Sequence, residues 1–336
     1  MRVGIIGCGG ISGVHARSIG NVEGSCLAAV ADIVPERAGK LAAQYGAQAY
    51  TDWEAMLEKE RLDIVHICTP HSLHTPMAVR CLEKGMHVFT EKPPIISWEQ
   101  LRQLTEASDK GKADGKRRLG VCFQNRWNPE VQYAKELLKS GALGPVEGVR
   151  GFVTWCRDKS YYENGWHGKM ALEGGGALIN QGIHTLDMIQ FLIDERADVV
   201  EAIQGNLHLQ REMEVEDTLC AYIHYPGVRA SLYVTNGYAD DESPLVEVQC
   251  AKGRIRLEDG GITIWKEGKA VVHPFEQGEV YGKAYWGAGH QKAISHFYQS
   301  VEEGTEDLLD FGNVKDTLEL LLRIYDSARS GEANCR

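Results

Sequence analysis

Four polar residues stand out for the chemistry that their types and spacing allow. In "GGGALINQGIHTLD" (174–187), Asn180, His184 and Asp187 follow i, i+4, i+7, which on a continuous α-helix puts all three on one side. Imidazole titrates near neutral pH, so His184 is suited to take a proton from an alcohol, with Asp187 one turn on to orient the ring. Asn180 can bond a hydroxyl but cannot accept a proton at neutral pH. Lys92, in "HVFTEKPP", follows an apolar run and can favour a developing alkoxide by its charge. A lone histidine or a surface lysine is more often structural, so these residues mean something only if the fold brings them to a ligand.

The elements before Lys92 supply a reason for one. "RVGII" runs into "GCGGIS", where Gly7 and Gly9 match the first two positions of the dinucleotide fingerprint and Ser12 occupies the third. "CLAAVAD" ends in Asp32, where a carboxylate accepts from two ribose hydroxyls and repels a 2′-phosphate. That favours NAD, while Arg37 in the next helix leaves NADP open. Strands at "LDIVHICTP", "MHVFTEKP" and "RRLGVCF" alternate with helices, the pattern of a parallel doubly wound sheet. A Rossmann domain is therefore expected over residues 1–123. Its expected cofactor contacts are Gly7, Gly9, Gly10, Ile11, Asp32, Arg37, Thr69, Pro70, His71, His74, Glu91 and Lys92. His71 and His74 have the spacing of a metal pair, but a loop fixes no common face, so cofactor-loop contact is preferred and no metal is expected.

Residues 124–336 read as an α+β domain. "VRASLYVTN" alternates apolar and polar residues, and short turns such as Pro226-Gly227 join neighbouring strands into a large, open, mainly antiparallel sheet. "VKDTLELLLRIYDSAR" (314–329) is a core-facing helix, expected to pack back near the Rossmann domain. An uncovered sheet face suggests a homodimer or homotetramer.

Composition narrows the class. A net charge of −11 is wrong for a phosphate-backbone binder, so no nucleic acid partner is expected. The absence of a long apolar span argues against a membrane, and nine cysteines without a CxxC pair fit a reducing cytoplasm.

A Rossmann start, then "EKP" at 91–93, "GGGALINQGIHTLD" and "VEDT" at 215–218, in that order, resembles the Gfo/Idh/MocA family over nearly the whole chain. The resemblance implies a nicotinamide at the mouth between the two domains, with Lys92 at cofactor and substrate and His184 catalytic. It also allows a cis Lys92–Pro93 bond. The glycines are then expected to bring the chain close beneath the nicotinamide, with the polar stripe facing the substrate carbinol. Inositol-dehydrogenase-like members usually carry Asp four residues before the histidine. Asn180 stands there instead, which puts inositol in doubt and leaves the base role to His184, or to Lys92 if its pKa is lowered. Asn125 and Arg126, Trp166 and His167 are expected to contact the substrate beside Asn180 and His184.

The leading reading is an NAD(P)-dependent dehydrogenase acting on a secondary hydroxyl of a sugar, cyclitol or sugar derivative. Two alternatives use the same pocket: redox-assisted glycoside hydrolysis, and non-catalytic dinucleotide sensing.

Overall fold

The computed structural model describes all residues except 116, 164, 211, 276–288, 332, 333 and 336. The chain divides into two compact units, Met1–Gln124 with Tyr281–Val314, and Asn125–Val280 with Lys315–Arg336.

The first unit carries a six-stranded parallel sheet. Its strands are β1 (Arg2–Ile6), β2 (Cys26–Ala31), β3 (Gln48–Tyr50), β4 (Ile64–Ile67), β5 (His87–Thr90) and β6 (Leu119–Val121), in the order β3-β2-β1-β4-β5-β6. Val3, Ile5, Ile64, Ile67, Val88 and Phe89 are fully buried, as strands covered on both faces require. The crossovers are α1 (Ser12–Gly20), α2 (Pro35–Tyr45), α3 (Trp53–Lys59), α4 (His74–Glu83) and α5 (Trp98–Gly115). Pro35 opens α2, and Gly46 closes it in the left-handed region. Strand order reverses between β1 and β4, and ligands bind at the carboxyl ends of strands beside such a reversal.

The second unit begins with α6 (Pro129–Lys139) and β7 (Val146–Thr154). The short helices α7 (Lys159–Tyr162) and α8 (Met170–Glu173) lead to a π turn at Leu178–Gly182 that continues as α9 (Ile183–Ile193). The strands β8 (Val199–Gly205), β9 (Thr218–Tyr225), β10 (Val228–Thr235), β11 (Leu245–Cys250), β12 (Gly253–Glu258), β13 (Gly261–Lys266) and β14 (Lys269–Pro274) complete most of the sheet. Its order is β14-β13-β12-β11-β7-β10-β9-β8-β15, where β15 is Asn334–Cys335. Every pair is antiparallel except β7–β10. In β10, Val228, Ala230, Leu232 and Val234 are buried, the alternation expected of a half-covered sheet.

The chain's return differs from the sequence expectation. The first unit takes back α10 (Gly289–Glu303), a helix that the boundary at residue 123 left in the second domain. Phe297 of α10 lies 5.0 Å from Phe89 on β5, and Gln291 bonds Asn21 at the end of α1. The long helix α11 (Phe311–Ser330) starts in the first unit, and its Lys315–Ser330 part belongs to the second. Among the described residues, no helix is long and apolar enough to cross a membrane.

Candidate active site

In the first unit the site starts at the glycine turn. Gly7 has φ +92, and a Cβ there would fall 2.6 Å from the Cys68 carbonyl oxygen, so no other residue fits. Around Gly9, Gly10 and Gly13 a Cβ would meet nothing within 4 Å, which leaves bare backbone open to a ligand. Helix α1 starts after Ile11 with no side-chain cap; the Ser12 and Val14 N–H groups bond the Gly9 and Ile11 carbonyls, and the positive end of the helix dipole faces the open turn, where it suits an anion. Ser12 is buried at the third fingerprint position and donates to the Gly9 carbonyl at 2.7 Å. Asp32 accepts from the Cys8 N–H at 2.7 Å and the Val34 N–H at 2.8 Å, which ties the end of β2 to the turn. Each of its oxygens keeps a second lone pair for a ribose hydroxyl. Burial, then the charge of Asp32, pushes the Cys8 thiol up to about 12, so it stays neutral. Arg37 is exposed on α2. Turn, uncapped helix and carboxylate together fit an NAD molecule.

Lys92 stands two residues beyond the end of β5, on the same carboxyl-terminal edge as the glycine turn. The Lys92–Pro93 peptide is cis. His74 bridges this loop to the one after β4, with Nδ1 2.7 Å from the Pro93 carbonyl and Nε2 2.6 Å from the Thr69 carbonyl. His71 and His74 are both buried. His74 therefore shapes the loop of Thr69 and Pro70 from inside rather than offering a ring at its surface. Glu91 is also buried and faces inward to His15, Nε2 to Oε1 2.9 Å.

In the second unit, the glycines of "GGGALINQGIHTLD" have a local cause. A Cβ on Gly175 would lie 2.2 Å from the Tyr325 hydroxyl, and one on Gly176 would lie 1.9 Å from the Glu216 carbonyl oxygen. They make room for α11 and for the "VEDT" segment, which replaces the expectation that they serve a nicotinamide. Glu216 accepts from the Gly176 N–H at 2.8 Å and the Leu178 N–H at 3.1 Å. Tyr325 donates to Glu216 at 2.8 Å and accepts from the Ile179 N–H at 3.1 Å. Two distant side chains thus satisfy the orphan donors at the start of the helix that carries His184. Burial raises the pKa of Glu216 in spite of these bonds.

The single polar stripe does not form. The π turn at 178–182 interrupts the α-helical rotation between Asn180 and His184, while His184 and Asp187 both lie on α9. Asp187 does not orient His184. It is 1% exposed and accepts from Arg126 Nε at 2.9 Å, Arg126 Nη2 at 2.6 Å and Thr317 Oγ1 at 2.8 Å. Arg126, 3% exposed, is therefore committed to an internal ion pair rather than offered to a substrate anion. Asn180 donates its amide to Glu173 and, at 3.2 Å, to the Tyr161 hydroxyl. A carboxylate only accepts, so Glu173 fixes which way the Asn180 amide points and turns its carbonyl oxygen the other way. His184 is half-buried.

Around Asn180 the chain builds an aromatic wall. The Tyr161 and His167 rings stack at 4.4 Å, and the Trp166 and His167 centroids lie 3.7 Å apart. The Arg157 guanidinium lies over the other aromatic neighbours, 4.9 Å from Trp155 and 5.3 Å from Tyr161. Asn125 Oδ1 is buried without a hydrogen-bond partner among the described residues. Trp166, His167, Asn180 and Asn125 are among the residues that stand out in the sequence, whereas Tyr161, Glu173 and the hydroxyl of Tyr325 enter only through the structure. Tyr161 and Glu173 flank the two segments already singled out, and that proximity was the only available signal.

Comparison with known proteins gives the family. Residues 1–113 match the model of the oxidoreductase family with an NAD-binding Rossmann fold, and residues 131–256 match the GFO/IDH/MocA C-terminal domain. The chain belongs to the Gfo/Idh/MocA oxidoreductase family. Membership makes it a dehydrogenase-class enzyme whose cofactor is NAD. This Gfo/Idh/MocA chain is 28% identical to inositol 2-dehydrogenase of Rubrobacter xylanophilus, across 83% of its own length and 77% of the relative's. It is 34% identical to D-glucoside 3-dehydrogenase of Escherichia coli, across 57% of its length and 54% of the relative's. Among solved structures it is similar to the WlbA dehydrogenase of Bordetella pertussis in complex with NADH and UDP-GlcNAcA. That pair shares a TM-score of 0.87 and 28% identity over 100% of this chain and 98% of the other.

Proposed function

We propose that this Gfo/Idh/MocA oxidoreductase oxidises a secondary hydroxyl of a sugar, cyclitol or sugar derivative, with Lys92 and His184 dividing polarisation and proton transfer between them. The carrying observation is that Lys92 and the bare glycine turn share the carboxyl-terminal edge of one parallel sheet. Gly7, Gly9, Gly10 and Ile11 hold the pyrophosphate, Asp32 holds the ribose, and Thr69, Pro70 and Glu91 shape the rest of the groove. When bound, NAD supplies the hydride acceptor. Lys92 donates a hydrogen bond to the substrate oxygen, His184 receives the hydroxyl proton, and Asn180 fixes a neighbouring hydroxyl through its oriented carbonyl.

The ring wall of Tyr161, Trp166 and His167 suits the apolar face of a pyranose or cyclitol. Relatives named for inositol, a glucoside and a UDP-linked sugar acid support this substrate class. Asn125, with its buried carbonyl oxygen, is a further substrate acceptor.

The enzyme further assembles as a homodimer or homotetramer through its sheet. Phe152, Tyr233, Cys220 and Ile203 pair in one register row across four strands, and Phe152 and Ile203 are 37% and 74% exposed. Ile203→Asp should lower the mass measured by light scattering.

The test of function is a panel of myo-inositol, methyl glucosides and UDP-linked sugar acids with NAD, followed at the reduced-nicotinamide absorbance. Net NADH formation supports the reading. Release of a glycosidic leaving group without NADH would favour redox-assisted hydrolysis, and inertness with bound NAD would favour a sensor.

A further inference from the structure

Behind Lys92 lies a buried chain of four side chains that the proposed reaction does not use. Glu91 Oε1 meets His15 Nε2 at 2.9 Å, His15 Nδ1 meets His66 Nδ1 at 2.8 Å, and His66 Nε2 meets the Tyr298 hydroxyl at 2.8 Å. His15, His66 and Tyr298 have no solvent exposure. They come from α1, β4 and α10, so the fold assembles the chain from three separate segments around the end of β5.

Hydrogen counting orders the protons. An ionised carboxylate only accepts, so His15 carries its proton on Nε2. A neutral His15 then has a bare Nδ1, which must accept from a proton on His66 Nδ1. That leaves His66 Nε2 bare, and it accepts from the Tyr298 hydroxyl. Every dipole in the chain points toward Glu91, and linked bonds of this kind polarise one another in a dry interior. The surroundings agree. Burial holds His66 well below the ordinary histidine range and the Tyr298 phenol well above its usual value. Burial alone would raise Glu91, but the bond from His15 and the charge of Lys92 bring it below the ordinary carboxylate range. The other titratable groups around Glu91 are the Cys68 and Cys122 thiols, both pushed up by burial, and His290 from α10, held at about 4 by burial. His74, from α4, is also lowered by burial.

We propose that the Tyr298–His66–His15–Glu91 chain keeps the carboxylate before Lys92 ionised, and that this fixed negative charge holds Lys92 as an ammonium. Lys92 is then the hydrogen-bond donor to the substrate oxygen, and proton removal falls to His184. The donor role of Lys92 toward a substrate rests on the reading given under Proposed function, whereas its charge state concerns the first unit alone and is testable without a substrate. Glu91, His15, His66 and Tyr298 are positioning residues.

The experiment is an NMR pH titration of the full-length protein with its lysines reductively ¹³C-dimethylated. The Lys92 signal is identified by its loss in Lys92→Arg. In the unaltered protein Lys92 should titrate at or above the ordinary ~10.4. Glu91→Gln should lower it by about 1–3 units, the effect of removing an adjacent opposite charge. His66→Phe should lower it as well, although His66 is two links away, because His15 then loses the donor that fixes its tautomer. Where His66→Phe fails to fold, as judged by its amide spectrum and NAD binding, Tyr298→Phe removes one hydroxyl and should shift Lys92 in the same direction. Lys92 titrating below about 9 in the unaltered protein, or unmoved by Glu91→Gln, would overturn the proposal. A shift with Glu91→Gln but none with either distal variant would overturn the chain. His15, Glu91 and Cys122 also bring ligand atoms within 4.8 Å of one another. A titration that moves on adding EDTA or zinc would assign them to a metal and likewise overturn it. Failure of the sugar panel, with these shifts intact, would count against the enzymatic reading alone.

Discussion

Arg126 and Asp187 form a two-point ion pair in the interior of the second unit, with Nε–Oδ2 2.9 Å and Nη2–Oδ1 2.6 Å. The pair pins the 3₁₀ turn at Gln124–Trp127 to the middle of α9, three residues beyond His184. Breaking a buried pair leaves one charge uncompensated and costs about 3–5 kcal/mol, whereas replacing both partners by apolar residues is often close to neutral. Arg126→Met should therefore destabilise strongly in urea unfolding, and Arg126→Met with Asp187→Leu should recover most of the loss. Equal destabilisation by the single and double variants would show that the pair is not the unit that matters.

The bond from Asn180 to Glu173 carries a second prediction. Glu173→Ala should lower kcat/KM on the order of tenfold to hundredfold, because a small misplacement of a substrate-orienting group is that costly. Glu173→Gln retains an acceptor and should recover part of the activity. NAD affinity, measured by nicotinamide fluorescence, should not change in either variant. A loss confined to NAD binding would move Glu173 out of the substrate site.

Much of this was legible in order along the chain. The apolar runs, the glycine turn, Asp32 and "EKP" are contiguous signals, and each lies where the parallel sheet puts it. The internal partners were not legible, because they are set by tertiary approach. Arg126 and Asp187 are 61 residues apart, and Tyr325 reaches Ile179 from 146 residues away. The spacing rule failed between Asn180 and the α9 residues His184 and Asp187 because it assumes an unbroken 3.6-residue period, and the π turn at 178–182 inserts a different one. The return of α10 to the first unit was missed because amphipathicity shows that a helix has a buried face, not which sheet buries it.

Buried histidines set the acid limit of stability. His290 is held at about 4 and His66 well below the ordinary value, both mainly by burial. The folded state keeps these rings neutral while the unfolded chain protonates them below about 6.5, so their contribution is present above that pH and lost as pH falls toward 4. Each ring should steepen the fall by about 1.4 kcal/mol per pH unit within that window. Urea midpoints from pH 7 to pH 4.5 should drop, and His290→Asn should flatten the slope. Parallel slopes in the two proteins would contradict the assignment.

Asp32 joins two tasks, holding the turn through Cys8 and Val34 and presenting a negative charge to the ribose edge. Asp32→Asn should weaken NAD binding and narrow the preference over NADP by about tenfold or more, since 1.4 kcal/mol of lost interaction is a factor of ten. Isothermal titration with both dinucleotides checks this. An unchanged ratio would mean that selectivity lies elsewhere on the groove.

The most direct measurement is single-turnover reduction of NAD by the best substrate of the panel, compared between the unaltered enzyme and His184→Ala. If His184 takes the hydroxyl proton, the rate of NADH formation should fall by about 10²–10⁴-fold while the dissociation constant for NAD stays within about twofold. An unchanged rate in His184→Ala, with NAD bound as before, would contradict the account.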